Sequence, residues 1–160
     1  MGADLQLENP REVGGEPVAD LHIRYAPLKG IDIPVDQVPL AIDEFPALFV
    51  AAANAEGTTR LRGAEELRVK ESDRIQAMAA GLTILVLETT VYEDGIDAGG
   101  RAGAGSSYGG GQVASLGDHR IPIAFTVAPL LPIEPVGVHD CAHVPRPLPG
   151  FVATAHTRGL

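Results

Sequence analysis

TTRLRGAEELRVKESDRIQAMAAGL, residues 58–82, changes its rule of construction halfway along. Thr58 to Gly63 reads as a short strand closed by a glycine. From Ser72 onward the apolar residues fall at 75, 78, 79 and 82, the spacing of one helix face, with Ser72 or Asp73 as the N-cap. Between the two patterns lie Arg68, Lys70, Glu71, Asp73 and Arg74, so the charge is gathered in a strand-to-helix turn. Alternate members of such a turn can face one cleft: Lys70, Glu71 and Arg74 inward, Arg68 and Asp73 toward the body of the domain.

The same alternation extends in both directions. VADLHIRYA (18–26) reads as a strand, and the apolar run from about Ile42 to Ala55 as a buried helix with Pro46 in its first turn. TILVLETTVYEDGIDA (83–98) is β-branched around an EDG turn and predicts a hairpin. GGRAGAGSSYGGGQ (99–112) predicts a loop or hairpin tip. QVASL (112–116) then reads as a strand, DHRIPIAFTVA (118–128) as a helix, PVGVHD (135–140) as a strand and LPGFVATAHTRG (148–159) as a last helix. This is an α/β (α+β) pattern of repeated βαβαββ units with mixed sheets and buried helices. Residues 1–160 read as a single partial domain, with one unit over about 1–110 and most of a second over about 111–160.

Composition narrows the function. A chain of 160 residues with 45% hydrophobic content can bury a core. No run of eighteen apolar residues occurs, and stretches such as AFTVAPLLPI (124–133) are broken by proline, so nothing here reads as a bilayer span. The opening MGADLQLENPREV lacks the basic and apolar regions of a signal peptide, and Cys141 stands alone, so the expectation is a cytoplasmic protein without disulfides. The formal charge of −9 argues against nucleic acid and anionic membranes as partners. The two lysines are Lys29 and Lys70, and the second lies between two arginines. Either this is a small basic cluster for an anionic ligand, or it is a salt-bridged helix start.

Other residues leave similar alternatives. In GDHRI (117–121), Asp118 reads as an N-cap with His119 and Arg120 at the first helical positions, where free N–H groups favour an anion. The bland alternative is a capping aspartate with Arg120 in solvent. Asp43 is either the N-cap of the first long helix or a catalytic base. Cys141 is a buried small residue or a nucleophile. The glycine-rich stretch has no Lys-Ser or Lys-Thr pair after it and is a surface hairpin rather than a phosphate cradle.

Taken together, RVKESDRIQAMAAGL (68–82), GDHRI (117–121) and IDEFPALFVAAANAEGTT (42–59) resemble the C-terminal part of the 5-enolpyruvylshikimate-3-phosphate synthase family, and the resemblance runs as far as DCAHVPRPLPGFVATA (140–155). It implies a two-domain enzyme of βαβαββ units that moves the carboxyvinyl group of phosphoenolpyruvate to the 5-hydroxyl of shikimate 3-phosphate. No metal or organic cofactor is implied. In this likeness Asp43 accepts the hydroxyl proton and Glu71 protonates the methylene carbon. Glu66 and Lys70 lie on the shikimate phosphate side, while Arg74 and Arg120 hold phosphoenolpyruvate with His119 beside them. Arg146 stands where a phosphoenolpyruvate-contacting lysine, or a threonine, is usual. Pro122 and Pro129 replace helix-compatible residues, and TILVLETTVYEDG lacks the usual glycine-centred turn. The chain corresponds to about the last third of such an enzyme, so its partners would be the two anionic substrates and the missing N-terminal part. A non-catalytic phosphate-binding or structural subdomain is the alternative, and a UDP-N-acetylglucosamine carboxyvinyltransferase a more distant one.

Overall fold

Pro46 decides where the first long helix begins. A helix starting at Ile42 would set the proline ring against the carbonyl of residue 42, whereas near a helix start its missing N–H costs nothing. In the computed structural model, which describes residues 1–101, 109–128, 135–144 and 149–157, the helix accordingly spans Phe45–Ala53 (α1), with single 3-10 turns at Val35–Gln37 and Pro39–Ala41 before it. The strands are β1 Asp4–Val13, β2 Glu16–Arg24, β3 Leu28–Lys29, β4 Ala55–Leu61, β5 Thr89–Tyr92, β6 Gly95–Arg101, β7 Gly111–Ala114 and β8 Val136–His139. The remaining α-helices are α2 Arg74–Ile84, α3 Arg120–Val127 and α4 Phe151–Thr157, with further 3-10 segments at Glu65–Val69 and Cys141–His143.

The fold is α/β with mixed sheets. The order β3-β4-β6-β5 forms one sheet, in which β3 and β4 run parallel and the other pairs antiparallel. β7 and β8 pair in parallel, and β1 pairs with β2 in an antiparallel hairpin. Two strands escape the sequence patterns. β3 has two residues, too few to show alternation. β1 contains Asn9-Pro10, which reads as a break, and the break is absorbed by a register shift between Glu8 and Arg11 with Asn9 at φ 50°. The strand read at 18–26 therefore belongs to the hairpin, and β3 supplies the strand that enters the four-stranded sheet. The tip of the glycine-rich stretch, 102–108, lies outside the described residues, and its end begins β7.

α1 is apolar nearly all round and is buried on Phe45, Phe49, Val50 and Ala53. It packs against α2, α3 and β6, and one continuous core joins Phe45 and Phe49 to Leu61, Ile75, Met78, Leu82, Ile96, Ile121 and Phe125. Gly81 on α2 lets α3 come close, since a Cβ there would lie 2.1 Å from Cζ of the buried Phe125 ring. The N-termini of α2 and α3 are brought together separately, by Arg74 of α2 and Asp118 just before α3, 2.7 Å apart.

The end of α2 carries a strained residue. Val86 N–H donates to Thr83 O (2.9 Å) and Leu87 N–H to Leu82 O (3.0 Å), the two bonds of a Schellman turn, with Leu82 and Leu87 both buried. The left-handed position of that turn is filled by Val86 at φ 62°. A β-branched side chain there costs about 1–2 kcal/mol relative to the right-handed region. Val86→Gly is accordingly expected to raise stability by about 1 kcal/mol, read as a higher urea midpoint; a lower midpoint would count against strain at this turn.

Candidate functional site

Of the two candidate caps for α2, Asp73 takes the role, its Oδ1 accepting from Gln76 N–H at 3.0 Å. That leaves Ser72 free to donate its hydroxyl to Asp118 Oδ2 at 3.1 Å. Arg74, first residue of α2, turns inward and is only 2% exposed. Its Nε donates to Asp118 Oδ2 (2.7 Å) and its Nη2 reaches Asp118 Oδ1 (3.4 Å). Asp118 Oδ1 also accepts the Arg120 backbone N–H at 2.9 Å, so a fully buried carboxylate has every lone-pair direction answered. α3 therefore begins one residue later than Asp118 as N-cap would give, at Arg120, and Asp118 satisfies its first N–H from a step further back. Pro122 becomes its third residue, where no N–H is needed, and the helix ends at Val127.

The outer edge of Arg74 meets two more acids. Nη1 donates to Asp43 Oδ1 at 2.8 Å and Nη2 to Glu71 Oε2 at 2.6 Å. Asp43 does not cap α1, whose N-cap is Glu44 without a side-chain bond; its carboxylate goes to the cations instead. Arg120 comes to the same residue from the other helix, with Nη1 donating to the Asp43 carbonyl (2.8 Å) and to Glu44 Oε1 (3.0 Å), and Nη2 3.7 Å from Asp43 Oδ2. Lys70 Nζ lies 3.7 Å from Asp43 Oδ1 and is hydrogen-bonded to Glu66. His119 lines a cleft of about 220 Å³ with Asp43, Glu44, Arg120 and Ile123. Arg146 lies outside the described residues.

Six of the eight residues singled out in the sequence are thus linked through Asp43 and Arg74, and His119 borders the cleft beside them. The charge balance departs from a simple cationic pocket: Lys70, Arg74 and Arg120 face Asp43, Glu44, Glu66, Glu71 and Asp118, three cations against five carboxylates. Of the two sequence alternatives, the salt-bridged helix start describes these contacts. A larger depression of about 820 Å³, bordered by Ile23, Tyr25, Pro27 and Leu28, contains none of these groups.

Burial would push the carboxyls of Asp43 and Asp118 up, but the Arg74 hydrogen bonds prevail, helped by the charges of Arg120 and Lys70 at Asp43 and by the Arg120 N–H at Asp118, and both sit below the ordinary 3.8. Arg74 is likewise raised: burial disfavours its charge, and the bond to Asp118 more than offsets this. A carboxyl with a lowered folded value adds stability above its unfolded value and loses it as pH falls through the folded one. The urea midpoint is therefore expected to hold from neutral pH to about pH 5 and to drop steeply below about pH 4. A midpoint that rises on acidification would contradict the pairing. Cys141 is half-buried, donates to Val138 O at 3.4 Å and has its thiol pushed up by burial, which does not suit a nucleophile.

The family model for EPSP synthase (3-phosphoshikimate 1-carboxyvinyltransferase) matches residues 1–154. The chain belongs to the EPSP synthase family. The 3-phosphoshikimate 1-carboxyvinyltransferase of Methylococcus capsulatus is 58% identical over 160 residues, all of this chain and 36% of that protein. The protein of the same name from Acidithiobacillus ferrooxidans is 56% identical over the same length. A solved EPSP synthase from Acinetobacter baumannii superposes with a TM-score of 0.92 at 53% identity, covering 98% of this chain and 36% of that one. The chain thus spans about a third of the length of the relatives it matches.

Two residues of this EPSP synthase family member escape the sequence reading. Asp118 is visible there only as a cap, yet it is the buried counter-ion of Arg74, 44 residues away. Glu44 is the partner of Arg120, and only its place next to Asp43 hints at it. Among the described residues no group of three or more His, Cys, Asp or Glu is arranged to hold a metal ion.

Proposed function

We propose that the chain supplies the phosphoenolpyruvate-binding and proton-transfer face of a 3-phosphoshikimate 1-carboxyvinyltransferase, in a cytoplasmic setting. The observation that carries this reading is the convergence of two guanidinium groups, from the starts of two separate helices, on the single residue Asp43. Guanidinium forks are suited to the phosphate and carboxylate of phosphoenolpyruvate. Asp43 takes the proton from the 5-hydroxyl of shikimate 3-phosphate as that oxygen bonds to C2 of phosphoenolpyruvate, and Glu71 delivers a proton to C3. Loss of phosphate from C2 and of a proton from C3 then completes the transfer, releasing inorganic phosphate. Lys70, with Glu66, faces the shikimate phosphate; His119 and Arg146 complete the binding of the anions.

Five carboxylates against three cations make this face a poor anion site alone, so further cations have to come from elsewhere, as the longer relatives would permit. The test is to mix the chain with both substrates and follow phosphate release, with and without a separately expressed N-terminal part of the Methylococcus relative. Release is expected only with that part present. Release by the chain alone would contradict the need for further cations. No release from the mixture, with phosphoenolpyruvate still bound, would favour a non-catalytic binding subdomain.

A further inference from the structure

Arg68 belongs to none of the substrate contacts proposed above, yet its guanidinium is used in three directions. Nη1 donates to Asp73 Oδ2 at 2.7 Å, Nε to the Glu93 carbonyl at 2.6 Å, and Nη2 to the Tyr92 carbonyl. The two carbonyls are those of the last residue of β5 and the first residue of the turn that leads to β6. The same turn holds the start of the segment, where Asp94 Oδ2 accepts from Gly63 N–H (2.9 Å) and the Asp94 carbonyl from Ala64 N–H (2.8 Å). Asp73 in turn divides its oxygens between Arg68 and the first turn of α2. The Arg68–Asp73 pair therefore closes a ring over Val69–Ser72, four residues that include Lys70 and Glu71. Val69 is 79% exposed, so the ring has no apolar anchor of its own, and Leu67 is the buried side chain just before it.

We infer that Arg68 is a positioning residue that clasps Val69–Ser72 to the β5–β6 turn and so fixes Lys70 and Glu71 relative to Asp43 and Arg74. The inference rests on the transferase reading only in what the two positioned groups do. Arg74 loses one of its three carboxylate partners when Glu71 moves but keeps Asp118 and Asp43, and Arg120 keeps Asp43 and Glu44, so the clasp acts first on Lys70 and Glu71 and leaves most of the phosphoenolpyruvate contacts in place. Lysine in place of Arg68 keeps the charge but cannot bond in three fixed directions.

Lys29 and Lys70, the two lysines of the chain, make the test direct. Amine acylation of the whole chain by acetic anhydride, read by peptide mass, gives the Lys70 rate with exposed Lys29 as internal reference. Arg68→Gln is expected to raise the Lys70:Lys29 ratio by about threefold or more, because displacement of the segment separates Lys70 from Glu66 and Asp43. Should that variant not fold, Arg68→Lys gives the same reading, its added lysine being separable by mass. In the enzyme reconstituted with the N-terminal part, Arg68→Lys is expected to lower kcat about tenfold or more while KM for phosphoenolpyruvate stays within about threefold. An unchanged labelling ratio overturns the clasp, as does a fall in thermal stability with kcat intact or a rise in KM matching the loss of kcat. If the ratio rises but the unsubstituted reconstituted enzyme does not turn over, the clasp stands and the transferase reading fails.

Discussion

Asp118→Ala lowers the unfolding free energy of the chain by about 3–5 kcal/mol, read as a fall in urea midpoint at neutral pH. The size follows from what is left behind. Arg74 is 2% exposed, and without Asp118 its Nε has no acceptor and cannot turn to water. The Ser72 hydroxyl and the Arg120 N–H lose their acceptor in the same step. Against a typical domain stability of about 5–15 kcal/mol this is a large share. Replacing the arginine as well, in Asp118→Ala/Arg74→Met, removes the buried Nε–H that Asp43 and Glu71, bonded to the outer nitrogens, cannot satisfy, and is expected to recover most of the loss. Asp20→Ala serves as the exposed reference: its pair with Arg11 (3.0 Å, side chains 52% and 55% exposed) is open to solvent, and the midpoint should barely move. An Asp118→Ala midpoint no lower than that of Asp20→Ala would show that the buried pair does not hold α2 to α3.

That pair also shows where sequence reasoning stops. The cap and period of α2 are local, set by Asp73 and by Ile75, Met78 and Leu82, and they are legible without coordinates. The start of α1 is legible once the steric demand of Pro46 is given full weight over the longer apolar run. β3 is not, because two residues cannot alternate, and its place is fixed only by parallel pairing with β4. Asp43, Lys70, Glu71, Arg74, Asp118 and Arg120 could be picked out from their positions at or beside helix starts, Glu66 only through the family resemblance, and Glu44 not at all. Their pairing could not, since separations of 31 and 44 residues join Arg74 to Asp43 and Asp118. The outcome, cations already matched by carboxylates, reverses the impression of a basic cluster that Arg68, Lys70 and Arg74 give in the linear chain. The missing glycine after α2 is visible in the sequence, but only the backbone shows that Val86 adopts the glycine conformation regardless.

Asp43→Asn, in the enzyme reconstituted with the N-terminal part, is expected to lower kcat by about 10²–10⁴ with little change in KM for phosphoenolpyruvate, if Asp43 is the base proposed above. The amide can still accept from Arg74 but cannot take a proton. The pH profile carries a sharper test. With Arg74 at 2.8 Å and Lys70 and Arg120 at 3.7 Å, Asp43 sits below the ordinary carboxyl value, which makes it a weak base in the free enzyme. When two polyanions enter, the cations turn toward phosphate and carboxylate, and the new negative charges disfavour ionised Asp43; both changes move its pKa up. A base must be deprotonated to act, so activity falls as pH drops. The acid limb of kcat, which reports the complex, is therefore expected at higher pH than the acid limb of kcat/KM, which reports the free enzyme. Coincident limbs would mean that the anions do not release Asp43 from its cations. Turnover of Asp43→Asn within tenfold of the unsubstituted enzyme would take the role of base away from this residue.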